Sequence, residues 1–270
     1  MAQLPLGPDS VTWRVNREPA LLLGGGRALL LQVTHPLVGA GVEQHSNYQA
    51  DPWSRLFSTL DTMFRITFGT PEQSAHAATR LQRRHVAVQG TASEGTPYRA
   101  LDPDLLVWVW ATLTDTSLVI YERCFGPLPA ARREQFVEEG KLIAYACGVP
   151  EGGCPAHYGD FRAYVDEMSR TALCATPTAV EVARQLRHPL LPAVLRGLAA
   201  KPLTLVTAGL LPAHLRTDLG FAWTPRHDRA LDRFFAAAKA QRAIPRRVRE
   251  LPVNLAARRE TPLRPPKWLV

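Results

Sequence analysis

Residues Pro103–Cys124, PDLLVWVWATLTDTSLVIYERC, decide the fold. Apolar side chains fall on nearly every side of this stretch when it is wound at 3.6 residues per turn. A surface helix needs only one apolar stripe, so a helix apolar all round belongs at the centre of a bundle. Asp115 lies inside it, with Thr112, Thr114 and Thr116 nearby. A carboxylate at that depth must be paired or hydrogen-bonded, because an unpartnered buried charge is costly.

On either side of this stretch the helical period recurs and strand-like alternation is scarce. Helices are predicted at Pro19–Leu23, Gly26–Val33, Leu37–His45, Pro52–Phe68 and Pro71–Val88. Beyond the central stretch they are predicted at Pro129–Cys147, Tyr158–Leu173, Pro177–Leu186, a broken pair across Ala193–Thr217, and Pro225–Ala243. Proline opens many of these segments, where its missing N–H is harmless. Gly69, Gly126, Gly148 and Gly220 close several. Thr176-Pro177 and Thr224-Pro225 read as a cap followed by a first turn. Gly148–His157 and Thr91–Leu101 read as connections. The expectation is an all-α protein, a single multi-helix bundle of about ten helices. No composition break divides it. The helical domain is expected over residues 14–243, with a basic, Pro-rich tail over 244–270 packing on or extending from it.

A chain of 270 residues with 46% hydrophobic content can bury a substantial core. No run reaches the roughly 18 apolar residues of a spanning helix. The first twenty residues lack the basic and apolar blocks of a signal peptide, so a soluble, cytoplasmic protein is expected. The four cysteines, Cys124, Cys147, Cys154 and Cys174, form no CxxC pair. Free thiols are expected rather than a zinc site, with Cys147 and Cys154 the plausible local pair. The net charge of +8 is uneven: residues 242–270 carry eight Lys/Arg against Glu250 and Glu260, a net +6. Such a tail either binds an anionic partner or wraps the domain in solvent, and its five prolines suit an extended segment.

Four places carry candidate chemistry. In PEQSAHAATRLQRRHVAVQG, Pro71–Gly90, the residues Ala78, Leu81, His85 and Val88 share a helix face, while Arg80, Arg83 and Arg84 point elsewhere. An imidazole on an apolar face is either a hydrogen-bonded core residue or a metal ligand, and spacing alone leaves both open. In Pro52–Phe68, Arg55, Ser58 and Thr59 share a face that Met63 and Ile66 continue. That is either a polar pocket wall or an arginine paired with Asp51, Asp61 or a distant carboxylate. Gly24-Gly25-Gly26-Arg27 opens a helix, but no strand–helix–strand pattern or phosphate-loop motif surrounds it. Its glycines are expected to allow a tight turn or a close backbone approach. His35 precedes proline, and Glu43 and His45 are two apart and so share no helix face. HExxH and a serine nucleophile elbow are absent.

Several of these segments together resemble the MpaB-type oxygenase family, whose domain also forms the catalytic core of the latex clearing protein, a rubber oxygenase. The segments are REPALLLGGGRALLLQVTHPLVGAGVEQHS (Arg17–Ser46), DPWSRLFSTL (Asp51–Leu60), the turn Phe68-Gly69, RRHVAVQGT (Arg83–Thr91) and YRALDPDLLVWVWATLTD (Tyr98–Asp115). The resemblance spans roughly residues 14–250. It implies a mainly helical domain that holds haem b and uses dioxygen on carbon–carbon double bonds. By order and spacing it implies that His85 is the axial metal ligand. Arg55 and Thr59 then match the arginine and threonine of the distal face, and Ser58 replaces a lysine that can cap the iron. Trp110 stands where the family often has histidine.

A haem needs an apolar slot, an axial imidazole and cations for its propionates. Arg27, Arg65 or the arginines beside His85 are the candidate cations. The function implied is a haem b-dependent oxygenase, an oxidoreductase, with catalytic roles for Arg55 and Thr59. Ser58, Arg27 and His85 join them around the cofactor. Dioxygen and a small apolar substrate, an olefin or isoprenoid chain, would be its partners; neither a nucleic acid nor a membrane span is expected. The alternative is a non-enzymatic helical ligand binder or scaffold that keeps the fold without haem.

Overall fold

The computed structural model describes residues 6–46, 51–188 and 200–266. Its axis is the central stretch, a helix over Pro103–Phe125. Trp108, Ala111 and Ile120 on it are completely buried. Its indole N–H groups are satisfied inside the bundle, Trp108 donating to the Leu31 carbonyl at 3.1 Å and Trp110 to the Gly140 carbonyl at 2.9 Å. Asp102 caps the start by accepting from the Asp104 N–H.

Five helices precede this axis: α1 (Val11–Asn16), α2 (Gly25–Val33), α3 (Pro36–His45), α4 (Pro52–Phe68) and α5 (Pro71–Val86), the axis itself being α6. Those that follow are α7 (Ala130–Ala146), α8 (Tyr158–Thr171), α9 (Pro177–Arg187), α10 (Lys201–Gly209), α11 (Ala213–Asp218), α12 (Pro225–Ala238), α13 (Arg246–Arg249) and α14 (Leu251–Ala257). The protein is all-α, with one two-stranded antiparallel hairpin, β1 (Gln89–Thr91) and β2 (Pro97–Arg99). α2, α7 and α8 pack on α6, and α3 and α9 pack on α2. Among the described residues no single helix is long and apolar enough to cross a membrane. Pro19–Val33 and Pro36–His45 pass that test only as a pair bent by 103°, and Leu30, Leu31 and Val33 of it are buried in the bundle.

The glycine run works by close approach, not by phosphate binding. A Cβ on Gly24 would lie 2.4 Å from Thr116 of α6, and one on Gly26 would lie 2.3 Å from the Thr207 hydroxyl of α10. A Cβ on Gly25 would meet nothing within 4 Å. Beside this contact lies a buried ionic cluster. Asp115 accepts from Arg27 at 2.6 Å on one oxygen and from Arg162 on the other. Arg27 also donates to the Thr116 hydroxyl at 2.6 Å and the Leu210 carbonyl at 2.7 Å. The partners required by the depth of Asp115 thus come from α2 and α8.

The structure departs from the sequence reading in several elements. Among the described residues there are 14 helices rather than about ten. Thr91–Leu101, read as a connection, holds the turn and second strand of the hairpin; the three-residue strands are too short to show a period, and Gly90 pairs with Tyr98 across the turn. The tail is not simply extended. Pro245 and Pro252 sit at helix starts, and Val253 and Ala257 bury one face of α14 against Trp13, Phe64 and Phe68. The short α1 was not foreseen, although Ser10 caps it by accepting from Trp13. Pro71–Val88 ends at Val86, and Pro225–Ala243 ends as a 3-10 turn over Lys239–Ala243. Of the pair expected over Ala193–Thr217, residues 193–199 lie outside the described residues. All four cysteines are free.

Candidate functional site

The candidate site lies along the hairpin of α4 and α5. Phe68 ends α4, Gly69 turns the chain, and Thr70 starts α5 with a reciprocal cap in which Thr70 and Gln73 satisfy each other's N–H groups. Contacts between the two helices fix their register. The Ser74 hydroxyl donates to the Ile66 carbonyl at 2.9 Å, Met63 and Leu81 pack in one apolar cluster, and Arg84 reaches the Ser58 hydroxyl at 3.5 Å. Arg84, the residue before His85, is thus the one that meets Ser58 across the hairpin.

His85 is half-buried, and its buried Nδ1 has no hydrogen-bond partner among the described residues. Burial lowers its pKa from the ordinary histidine value, which favours the neutral ring. Its helix face runs through buried Ala78 and half-buried Leu81. Past the end of α5, Val88 lies 3.7 Å from a Cβ built on Gly41 of α3. Around this point the Gln44 amide donates to the Thr91 carbonyl at 2.9 Å, and Tyr98 donates to Gln44 at 2.8 Å. The hairpin after α5 is thereby tied to α3.

The distal candidates are placed differently from a polar patch in a core. Ser58 and Thr59 are exposed, while Ile66 on the same stripe is fully buried. The stripe passes from solvent to core along α4. The Thr59 hydroxyl donates to the Arg55 carbonyl at 3.0 Å, and Arg55 donates to the Ser46 hydroxyl at the end of α3. Asp61 is not the partner of Arg55. It accepts from Arg65 at 2.9 Å and from the Leu263 N–H at 3.0 Å, and Arg80 stands 3.7 Å away. Asp51 caps α4 instead. Ser54, Ser58, Asp61, Arg80 and Arg84 line a cleft of about 690 Å³ that Pro262–Pro265 close from the other side.

Arg27, expected at a cofactor's acidic edge, is placed elsewhere. Its guanidinium is committed to Asp115, Thr116 and Leu210 and lines a second cleft of about 590 Å³. The two clefts share no lining residue. Trp110 is a core residue, its ring edge-on to Phe161 at 5.5 Å. Glu43 accepts from Thr178, and His45 lies 3.1 Å from the Gln89 carbonyl, so these two do not converge. Among the described residues no three His, Cys, Asp or Glu side chains gather as a metal site. Cys147 packs beside Leu81, and burial pushes its thiol up to about 12, leaving it inert.

The sequence marks His35 only as a histidine before proline, with no role assigned. Its Nδ1 is also buried without a partner among the described residues, and burial lowers its pKa. The available signal was His-Pro at a helix start, which places a side chain at the N-cap without saying which way it turns.

Over residues 13–240 the chain matches a family of oxygenase catalytic domains, which sets its class. That family is described as "ER-bound oxygenase mpaB/B'/Rubber oxygenase, catalytic domain", and the chain belongs to it. Two uncharacterized proteins, one from Mycobacterium bovis and one from Mycobacterium tuberculosis, are each 27% identical to it over 228 residues, covering 81% of this chain and 88% of theirs. No solved structure matches the chain.

Proposed function

We propose that the protein is a haem b-dependent oxygenase in which His85 would hold the iron. The observation that carries this reading is the buried, unpartnered Nδ1 of His85. Leaving a buried polar atom unpaired is costly, and a neutral imidazole is the form that binds metal. A single imidazole donor suits an iron whose other ligands arrive with it, as the four nitrogens of a porphyrin do. The donor chemistry of that one imidazole supports the group.

Bound there, haem would supply the dioxygen chemistry for oxidising an unsaturated, isoprenoid-like or other small apolar substrate. The chain's own residues orient and tune it. His85 lies near the end of α5, where burial favours its neutral ring. Thr59 and Arg55 supply hydroxyl and guanidinium donors on α4. Ser58 is a poor iron ligand, so the position of the family's capping lysine offers a hydroxyl, not an amine. Arg84 and its neighbour Arg83 are the cations assigned to the propionates, since Arg27 is held by Asp115.

The alternative, a haem-free helical binder, draws on the exposure of Ser58 and Thr59. It requires a partner such as a backbone carbonyl for the His85 ring, and the bare Nδ1 favours the ligand reading. Titration of purified protein with haemin separates the two. A saturable Soret band is expected in the wild type and its loss in a folded His85→Ala variant; a protein that takes up no haemin would sink the proposal.

A further inference from the structure

The basic tail carries a second, independent feature. α14 is held to the bundle by Val253 and Ala257, 5% and 8% exposed, and α13 by a two-pronged ion pair from Arg249 to Glu18 at 2.6 and 2.7 Å. The opposite side is apolar and faces solvent: Ile244 is 45% exposed, Val248 59%, Leu251 50% and Leu255 60%. Leu251 and Leu255 are one turn apart on α14, with Val248 a turn before them. These four are clustered within twelve residues of chain, which is unlike the scattered single exposures that need no explanation. Around them stand Arg247, Arg258 and Arg259, none of which makes an ion pair among the described residues. Arg246, by contrast, is paired with Glu250.

We propose that residues 244–259 form an in-plane binding face for an anionic lipid bilayer. Leucine-class side chains would enter the headgroup–acyl boundary while the arginines meet lipid phosphates. Charge selects this occupant. A second copy of the same face would bring a second net +6 tail against the first. Nucleic acid would satisfy the arginines but leave the leucines without a role. The segment lies beyond residues 13–240, the part of the chain that matches the family.

Flotation of the full-length protein tests this, with vesicles of phosphatidylcholine alone and of phosphatidylcholine mixed with phosphatidylglycerol. Binding is expected to the mixed vesicles only, weakening as salt rises from about 0.1 M to about 1 M. The double variant Leu251→Ser/Leu255→Ser alters only exposed side chains, so its melting curve should match the wild type. Its binding should fall by about ten-fold or more. The charge variant Arg258→Glu/Arg259→Glu should fall similarly. No flotation, equal binding to neutral vesicles, or full binding by the leucine variant would overturn the proposal. So would tight binding to duplex DNA that the leucine variant retains, or lipid-free dimerisation that it abolishes. These readouts are separate from the haem spectrum, so either proposal can fail alone.

Discussion

At the scale of single residues, two histidines share a condition: each buries an Nδ1 with no partner among the described residues, and each has its pKa lowered by burial. For His35 the consequence is a pH dependence of stability. The unfolded chain binds a proton at about 6.5 and the folded one only at lower pH, so the unfolded state is favoured as pH falls below that value. Full stability is expected above it and a progressive loss below it. Replacing His35 with leucine should flatten this loss, measured as denaturation midpoints between about pH 7 and pH 5. An unchanged slope would mean that His35 titrates normally. The role of His85 was legible only as a pair of options, because spacing reports a face and not what lies opposite it. The burial of its ring nitrogen is a matter of tertiary packing, which no local pattern encodes.

At the scale of elements, the long helices were legible because their starts and stops are written in side chains. Proline at the first turn, Asp51, Thr70 and Thr176 as caps, and Gly69 and Gly126 at the ends mark α4, α5, α6 and α9 directly. The short elements were not legible, because α14 exists through two residues buried on Trp13 and Phe68. Arg55, Ser58 and Thr59 lie at helical spacing on α4, but spacing does not encode the exposure of Ser58 and Thr59. The glycine run offers an element-level test. Gly24→Ala and Gly26→Ala should each cost about 1–3 kcal/mol by pushing α2 away from α6 or α10. Gly25→Ala, facing open space, should be neutral or slightly stabilising in the same melts. Equal losses at all three positions would contradict the close-approach role.

At the scale of the whole molecule, Asp115 joins helices far apart in sequence. Arg27 of α2 and Arg162 of α8 meet on it in the centre of α6, and Arg27 extends the link to Leu210. Removing the charge leaves a buried arginine uncompensated, so Asp115→Ala should destabilise the fold by about 3–5 kcal/mol in denaturant unfolding. A loss below about 1 kcal/mol would show that the cluster is solvated rather than structural. The sequence required a partner for Asp115 but could not name it, since Arg27 was equally eligible to face a cofactor. With Arg27 committed, the proposed haem site rests on α4 and α5 alone.

The central claim, that His85 is an iron ligand, is tested most directly by restoring the ligand from solution. A His85→Gly variant loaded with haemin should show a weakened, shifted Soret band, and added imidazole should return it to the wild-type position with saturation. If the variant and the wild type give the same spectrum before any imidazole is added, His85 does not hold the iron.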